Sequence, residues 1–149
     1  MAKSRAKKVN KANNTDNADN AAAEGCPQVR WSIDMDWYER NNRSFLALVK
    51  ERVCPKCRKQ LKGEPEAEDL LATIKDCCAD RPDYISAELP MLESIFRLVL
   101  ANGNQPLTLE EIGRQLTERR GPDTYRTSAV FLSRLLSNDS YYGFKQTEA

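Results

Sequence analysis

The chain has 149 residues, and its 23 Lys and Arg against 22 Asp and Glu leave a formal net charge of +1. No global field therefore draws it onto nucleic acid or a membrane surface, and no stretch approaches the roughly 20 apolar residues of a membrane-spanning helix. It has five cysteines and no histidine; without the usual acid–base group, a Gly-rich phosphate loop or a nucleophile elbow, an enzyme is not expected.

Residues 1–25 carry one bulky aliphatic side chain after Met1, namely Val9. So little apolar area does not offset ordering entropy, and this segment is expected to be a disordered tail. It opens basic, with Lys3, Arg5, Lys7, Lys8 and Lys11 and no acid before Asp16. The basic start lacks the apolar run of a secretory signal, so a cytoplasmic location is expected. Thiols stay reduced there, and paired cysteines then read as metal ligands or redox groups rather than disulfides.

Gly25-Cys26-Pro27 closes the tail. Val29, Trp31 and Ile33 alternate with polar residues, a short strand. Asp34 or Asp36 is a helix N-cap, and Trp37, Tyr38, Phe45, Leu48, Val49 and Val53 predict one helix running into Cys54, ended by Pro55. Gly63 and Pro65 mark a loop. Glu66 to Cys78 predicts a second helix with Leu70, Leu71 and Ile74 inward, broken by Asp80 to Pro82. The third helix opens at Pro90 and is apolar around most of its circumference through Leu100, so it is expected at the centre of the core. Asn102-Gly103-Asn104 ends it, with Gly103 suited to a left-handed cap. Thr108 and Glu111 form a capping box, Ile112 and Leu116 face inward, and Arg119 to Pro122 closes that helix. A last helix is expected from Asp123 or Thr124 to Ser137, then a turn at Asn138-Asp139 and a strand or wing from Tyr141 to Gln146.

The chemistry sits in Cys54-Pro55-Lys56-Cys57, followed nineteen residues later by Cys77-Cys78. A two-residue gap lets two thiolates of a tight turn face one ion, and four thiolate donors favour structural zinc. Cys54, Cys57, Cys77 and Cys78 are the expected ligands. Adjacent cysteines usually diverge, except at a frayed helix end, so Cys26 or a carboxylate is held as a substitute. A redox dithiol fits less well, because no strand-then-helix context surrounds the motif. Iron–sulfur clusters usually have other spacings, and unrelated free cysteines are the bland alternative. The surrounding Lys56, Arg58, Lys59 and Lys62 are candidates for phosphate contact, or for stabilising the thiolates by their local field.

From Leu89 to Gln146 the order is long helix, short extended segment, capped helix, turn, helix, hairpin-like end. Leu92, Ile95, Phe96, Leu100, Gly103, Pro106-Leu107-Thr108, Glu111-Ile112, Leu116, Leu132, Leu135-Leu136 and Phe144 carry it. This pattern resembles a winged helix-turn-helix of the type in the bacterial RNA polymerase delta subunit. Cys54-Pro55-Lys56-Cys57 by itself resembles a zinc knuckle or zinc ribbon. The winged-helix resemblance implies that Thr124 to Ser137 enters the DNA major groove, presenting Arg126 and Arg134, with Lys145 on the wing. It equally implies a docking role, since winged helices of this type often serve protein contacts.

The expected fold is thus mainly α: a disordered tail over 1–25, a zinc-stapled helical module over 26–86, and a winged helix-turn-helix over 87–149. The expected function is non-enzymatic nucleic-acid binding, DNA ahead of RNA and associated with transcription. The alternative is an accessory subunit of a larger protein complex. No membrane and no small-molecule substrate are expected.

Overall fold

The alternation of Val29, Trp31 and Ile33 does form a strand, β1 (Val29–Ile33). The computed structural model describes residues 29–61, 63–122 and 126–148. The segment read as a tail, Cys26 and Lys62 lie outside the described residues.

After β1, Asp34 caps α1 (Met35–Arg40) by accepting from the Asp36 amide at 3.1 Å. The single helix expected between Trp37 and Cys54 is two helices. Asn41 and Asn42 break it, and Asn42 sits at φ 56°, a left-handed conformation that Asn tolerates better than most residues. Ser44 then caps α2 (Phe45–Lys50), its hydroxyl accepting from the Ala47 amide at 3.1 Å. Pro55 also acts differently from expectation: it starts α3 (Pro55–Gln60) instead of ending a helix. At a first helical position its missing N–H is no loss.

Helix α4 (Ala67–Asp76) opens with the Glu66 amide donating to Asp69 at 3.2 Å, and a 3-10 turn over Cys78–Asp80 follows it. Helix α5 (Met91–Ala101) is the central helix the sequence predicts, with Ile95, Phe96, Leu98, Val99 and Leu100 all buried. Past its end Gly103 and Asn104 are left-handed, at φ 70° and 59°. That turn brings the Asn104 side chain to the backbone of Ile33, accepting from its N–H at 2.8 Å and donating to its carbonyl at 3.1 Å. A side-chain amide thus pairs with β1 beyond its two residues opposite Leu107 and Thr108.

The strand β2 (Leu107–Thr108) leads into α6 (Leu109–Arg120) through the expected capping box. The Thr108 amide donates to Glu111 at 2.8 Å, and the Glu111 amide to the Thr108 hydroxyl at 3.2 Å. The last helix, α7 (Ala129–Ser137), begins later than expected, because Ser128 is its cap. Arg126 and Thr127 lie in the turn before it. Strand β3 (Phe144–Glu148) closes the chain. The sheet order is β2-β1-β3, with β1 antiparallel to β2 and Trp31 opposite Leu107. Among the described residues no hairpin follows α7; the neighbour of β3 is β1.

Residues Arg30–Thr147 form one compact unit, and the other unit, Met1–Val29 with Glu148–Ala149, falls almost wholly outside the described residues. The border expected between residues 86 and 87 lies inside Arg30–Thr147. One core takes Trp31, Tyr38, Val49, Leu70 and Ile74 from the first half and Ile95, Phe96, Ile112, Leu116 and Leu132 from the second. The physical reason is the sheet: its middle strand comes from one half and its outer strands from the other.

Candidate metal centre

Two short helices deliver the four thiols. Cys54 is the N-cap of α3, extended at ψ 157°, and Cys57 lies in the first turn of that helix, so both sulfurs gather at its start. Cys77 is the C-cap of α4, with φ −136° and ψ −63°, so the chain leaves the helical path there. That swing is what lets adjacent Cys77 and Cys78 serve one point, the helix-end geometry the sequence required. The ligand atoms of Cys54, Cys57, Cys77 and Cys78 all lie within 4.8 Å of one another, with no disulfide among them. A tetrahedral site with metal–sulfur bonds of about 2.3 Å has edges of about 3.8 Å, so less than about 1 Å of closure assembles it. The four cysteines are therefore close enough to bind a metal ion.

The local electrostatics suit thiolates unevenly. The Cys57 amide, opposed by burial and helped by the Cys78, Cys57 and Cys77 thiols, lowers the Cys54 thiol to about 7. Cys57 is pushed up to about 12, first by its hydrogen bond with the Cys77 thiol and then by burial. Burial raises Cys78, although its sulfur accepts from the Cys54 amide at 3.1 Å. Four thiols so close do not all ionise without a cation, which a bound metal supplies. Three of them are buried and Cys77 is half-buried.

The basic residues divide. Lys56 and Lys59 are exposed on α3, which is a helix rather than the knuckle loop expected. Arg58 is held by one nitrogen: its Nη2 donates to the carbonyls of Lys50, Glu51 and Val53 at 3.0–3.2 Å, closing the end of α2. Arg126 is exposed ahead of α7, Arg134 is exposed on it, and Lys145 is exposed on β3. The outward face of α7 also carries Val130, 67% exposed, beside Leu109 and Ala129.

Sequence reading missed the buried ion network next to the centre. Glu93 of α5 accepts from Arg52 Nε and Nη2 at 2.9 and 2.8 Å, from Arg97 Nε at 2.8 Å and from the Tyr142 hydroxyl at 2.7 Å. Burial alone raises its carboxyl, but the hydrogen bonds from Arg52, Arg97 and Tyr142 outweigh it and hold Glu93 below the usual carboxylate range. Arg52 lies two residues before Cys54, so this network ties the metal-binding turn to α5 and to the approach of β3. A polar residue at an apolar position of α5 was the available signal.

Set against family models, curated proteins and solved structures, the chain matches none. No helix among the described residues is long and apolar enough to cross a membrane.

Proposed function

We propose that this chain is a non-enzymatic nucleic-acid-binding protein, DNA ahead of RNA, built around one structural zinc ion held by Cys54, Cys57, Cys77 and Cys78. Zinc suits four thiolates in a closed tetrahedral site, and four protein ligands leave no position for a catalytic water. The observation that supports the binding reading is the run α5-β2-α6-α7-β3, similar in order to a winged helix-turn-helix, with Arg126 and Arg134 exposed around its last helix. In this reading α7 approaches the groove while Lys145, Lys56 and Lys59 meet phosphates.

The test is fluorescence anisotropy with a mixed-sequence duplex over a salt series. Binding is expected to weaken steeply with salt, and Arg134→Ala with Lys145→Ala to flatten that slope by about two phosphate contacts. No binding at about 50 mM salt, or an unchanged slope in the double variant, sinks the reading. Metal analysis of the purified chain, expected to show one zinc per chain, tests the ion.

The apolar patch of Val130, Ala129 and Leu109 supports a second reading, an accessory subunit docking through α7. A single stoichiometric protein retained by the wild-type chain and lost with Val130→Asp would favour it over the first.

A further inference from the structure

Beside the metal centre the end of α2, the start of α3 and the loop after the 3-10 turn enclose a cavity of about 170 Å³. Four arginines line it, Arg52, Arg58, Arg81 and Arg97, together with the acidic residues Glu51 and Asp83. Both carboxylate side chains are largely solvated, 71% and 80% exposed, so they sit at the rim.

The arginines are not equivalent. Arg52 spends all three of its nitrogens, on Glu93, the Leu48 carbonyl and the Glu51 carboxylate. Arg97 donates from Nε to Glu93 and from Nη1 to the Tyr84 carbonyl at 2.9 Å, and its Nη2 has no acceptor among the described residues. Arg58 donates from Nη2 alone, leaving Nε and Nη1 without one. Arg81 makes only a 3.6 Å ion pair with Asp83, longer than a hydrogen bond. Three of the arginines that line this space therefore keep N–H donors without a protein acceptor among the described residues, and two of the three are held by their other bonds.

We propose that this cleft binds one phosphate-type oxyanion, received by Arg58, Arg81 and Arg97. Guanidinium groups match tetrahedral oxyanions with paired, charge-assisted donors, and groups already held in place lose little freedom on binding. The cavity is smaller than the roughly 300–1,000 Å³ of pockets for drug-sized ligands. It therefore suits a phosphate group rather than a whole nucleotide. Cys54 and Cys78 also line it, so an occupant would sit against the metal centre. The same chemistry is offered by free phosphate and by the terminal phosphate of an oligonucleotide. The inference does not rest on the DNA reading, whose residues are Lys56, Lys59, Arg126, Arg134 and Lys145.

The experiment is calorimetric titration of the full chain, as purified and with its metal content measured, at constant ionic strength in chloride. The probes are inorganic phosphate, a 5′-phosphorylated trinucleotide and the same trinucleotide without its phosphate. One-to-one binding of at least one phosphate-bearing probe is expected, with the unphosphorylated trinucleotide weaker by about ten-fold or more. Arg81→Gln, which removes no bond to backbone, is expected to weaken that binding by about ten-fold while metal content and melting stay unchanged. Saturation by inorganic phosphate assigns the free ion, and binding of the phosphorylated trinucleotide alone assigns a strand end; both support the cleft. It is overturned by no binding of either phosphate probe, or by equal affinity in wild type, Arg81→Gln and Arg58→Gln. Loss of metal in Arg81→Gln without phosphate binding to the wild type also overturns it, since the arginines would then serve only the thiolates.

Discussion

Glu93 shows how one residue can hold distant parts of the chain. Its partners Arg52 and Tyr142 lie 41 and 49 residues away, so no local pattern connects them. Removing one member of a buried charged set leaves the others unpaired, and Glu93→Gln is expected to cost roughly 3 kcal/mol in urea unfolding. The carboxyl is lowered in the folded chain, so its contribution is complete above the unfolded value of about 4.3 and is lost as pH falls through the lowered folded value. The wild-type urea midpoint should therefore drop on acidification more than that of Glu93→Gln. Any metal held by the thiolates would leave both chains alike as they protonate, so the difference between the two profiles isolates the carboxylate. The cysteines are the opposite case. All four cysteines were named from the sequence, Cys54 and Cys57 by their spacing and Cys77 and Cys78 on the condition of a frayed helix end, which the backbone at Cys77 meets. The four described cysteines already supply the four donors of a tetrahedral site. Cys57→Ser and Cys78→Ser are each expected to lose most bound metal, and Cys26→Ser to keep it, as read by metal analysis of the purified variants.

At the scale of elements, ends were legible wherever a side chain caps its own helix. The Thr108–Glu111 box is such a case, because every participant lies within one turn. The break at Asn41–Asn42 and the start at Ser128 were not, since the apolar spacing of Trp37 to Val53 and of α7 continues through polar residues that suit a helix surface as well as a cap. The contact between α6 and the turn before α7 has a sharper requirement. A Cβ at Gly113 would lie 2.6 Å from the Thr127 carbonyl oxygen. Gly to Ala inside a helix ordinarily stabilises by about 1 kcal/mol. Here the clash with backbone reverses the sign, and Gly113→Ala is expected to destabilise by about 1–3 kcal/mol. A urea midpoint at or above that of the wild type would show that the turn before α7 yields freely.

For the molecule as a whole, the cysteine cluster and the helices after it share one core. Reading the chain in order suggested two modules, because the cysteines end at Cys78 and the winged-helix-like pattern begins at Leu89. Sequence order hid the pairing of β1 with both β2 and β3, and no short-range signal reports which strand fills the middle of a sheet. Trp31 and Ile33 are buried at 3% and 1%, so deleting β1 would uncover apolar surface on the later helices and leave the Asn104 amide without its partner. A fragment of residues 87–149 should therefore fail to fold by itself, giving poorly dispersed amide signals in NMR. The same continuity fixes how metal loss is felt. An ion held by the four cysteines would fasten α3 to the end of α4, and α4 packs on α5 in the shared core. Chelation is expected to lower the melting temperature of the full chain by about 10 °C or more. It should do so in one calorimetric transition, because the buried residues of Arg30–Thr147 form one core cluster. Two separate transitions, with the upper one unmoved by chelator, would show instead that the later helices stand without the metal-bound half.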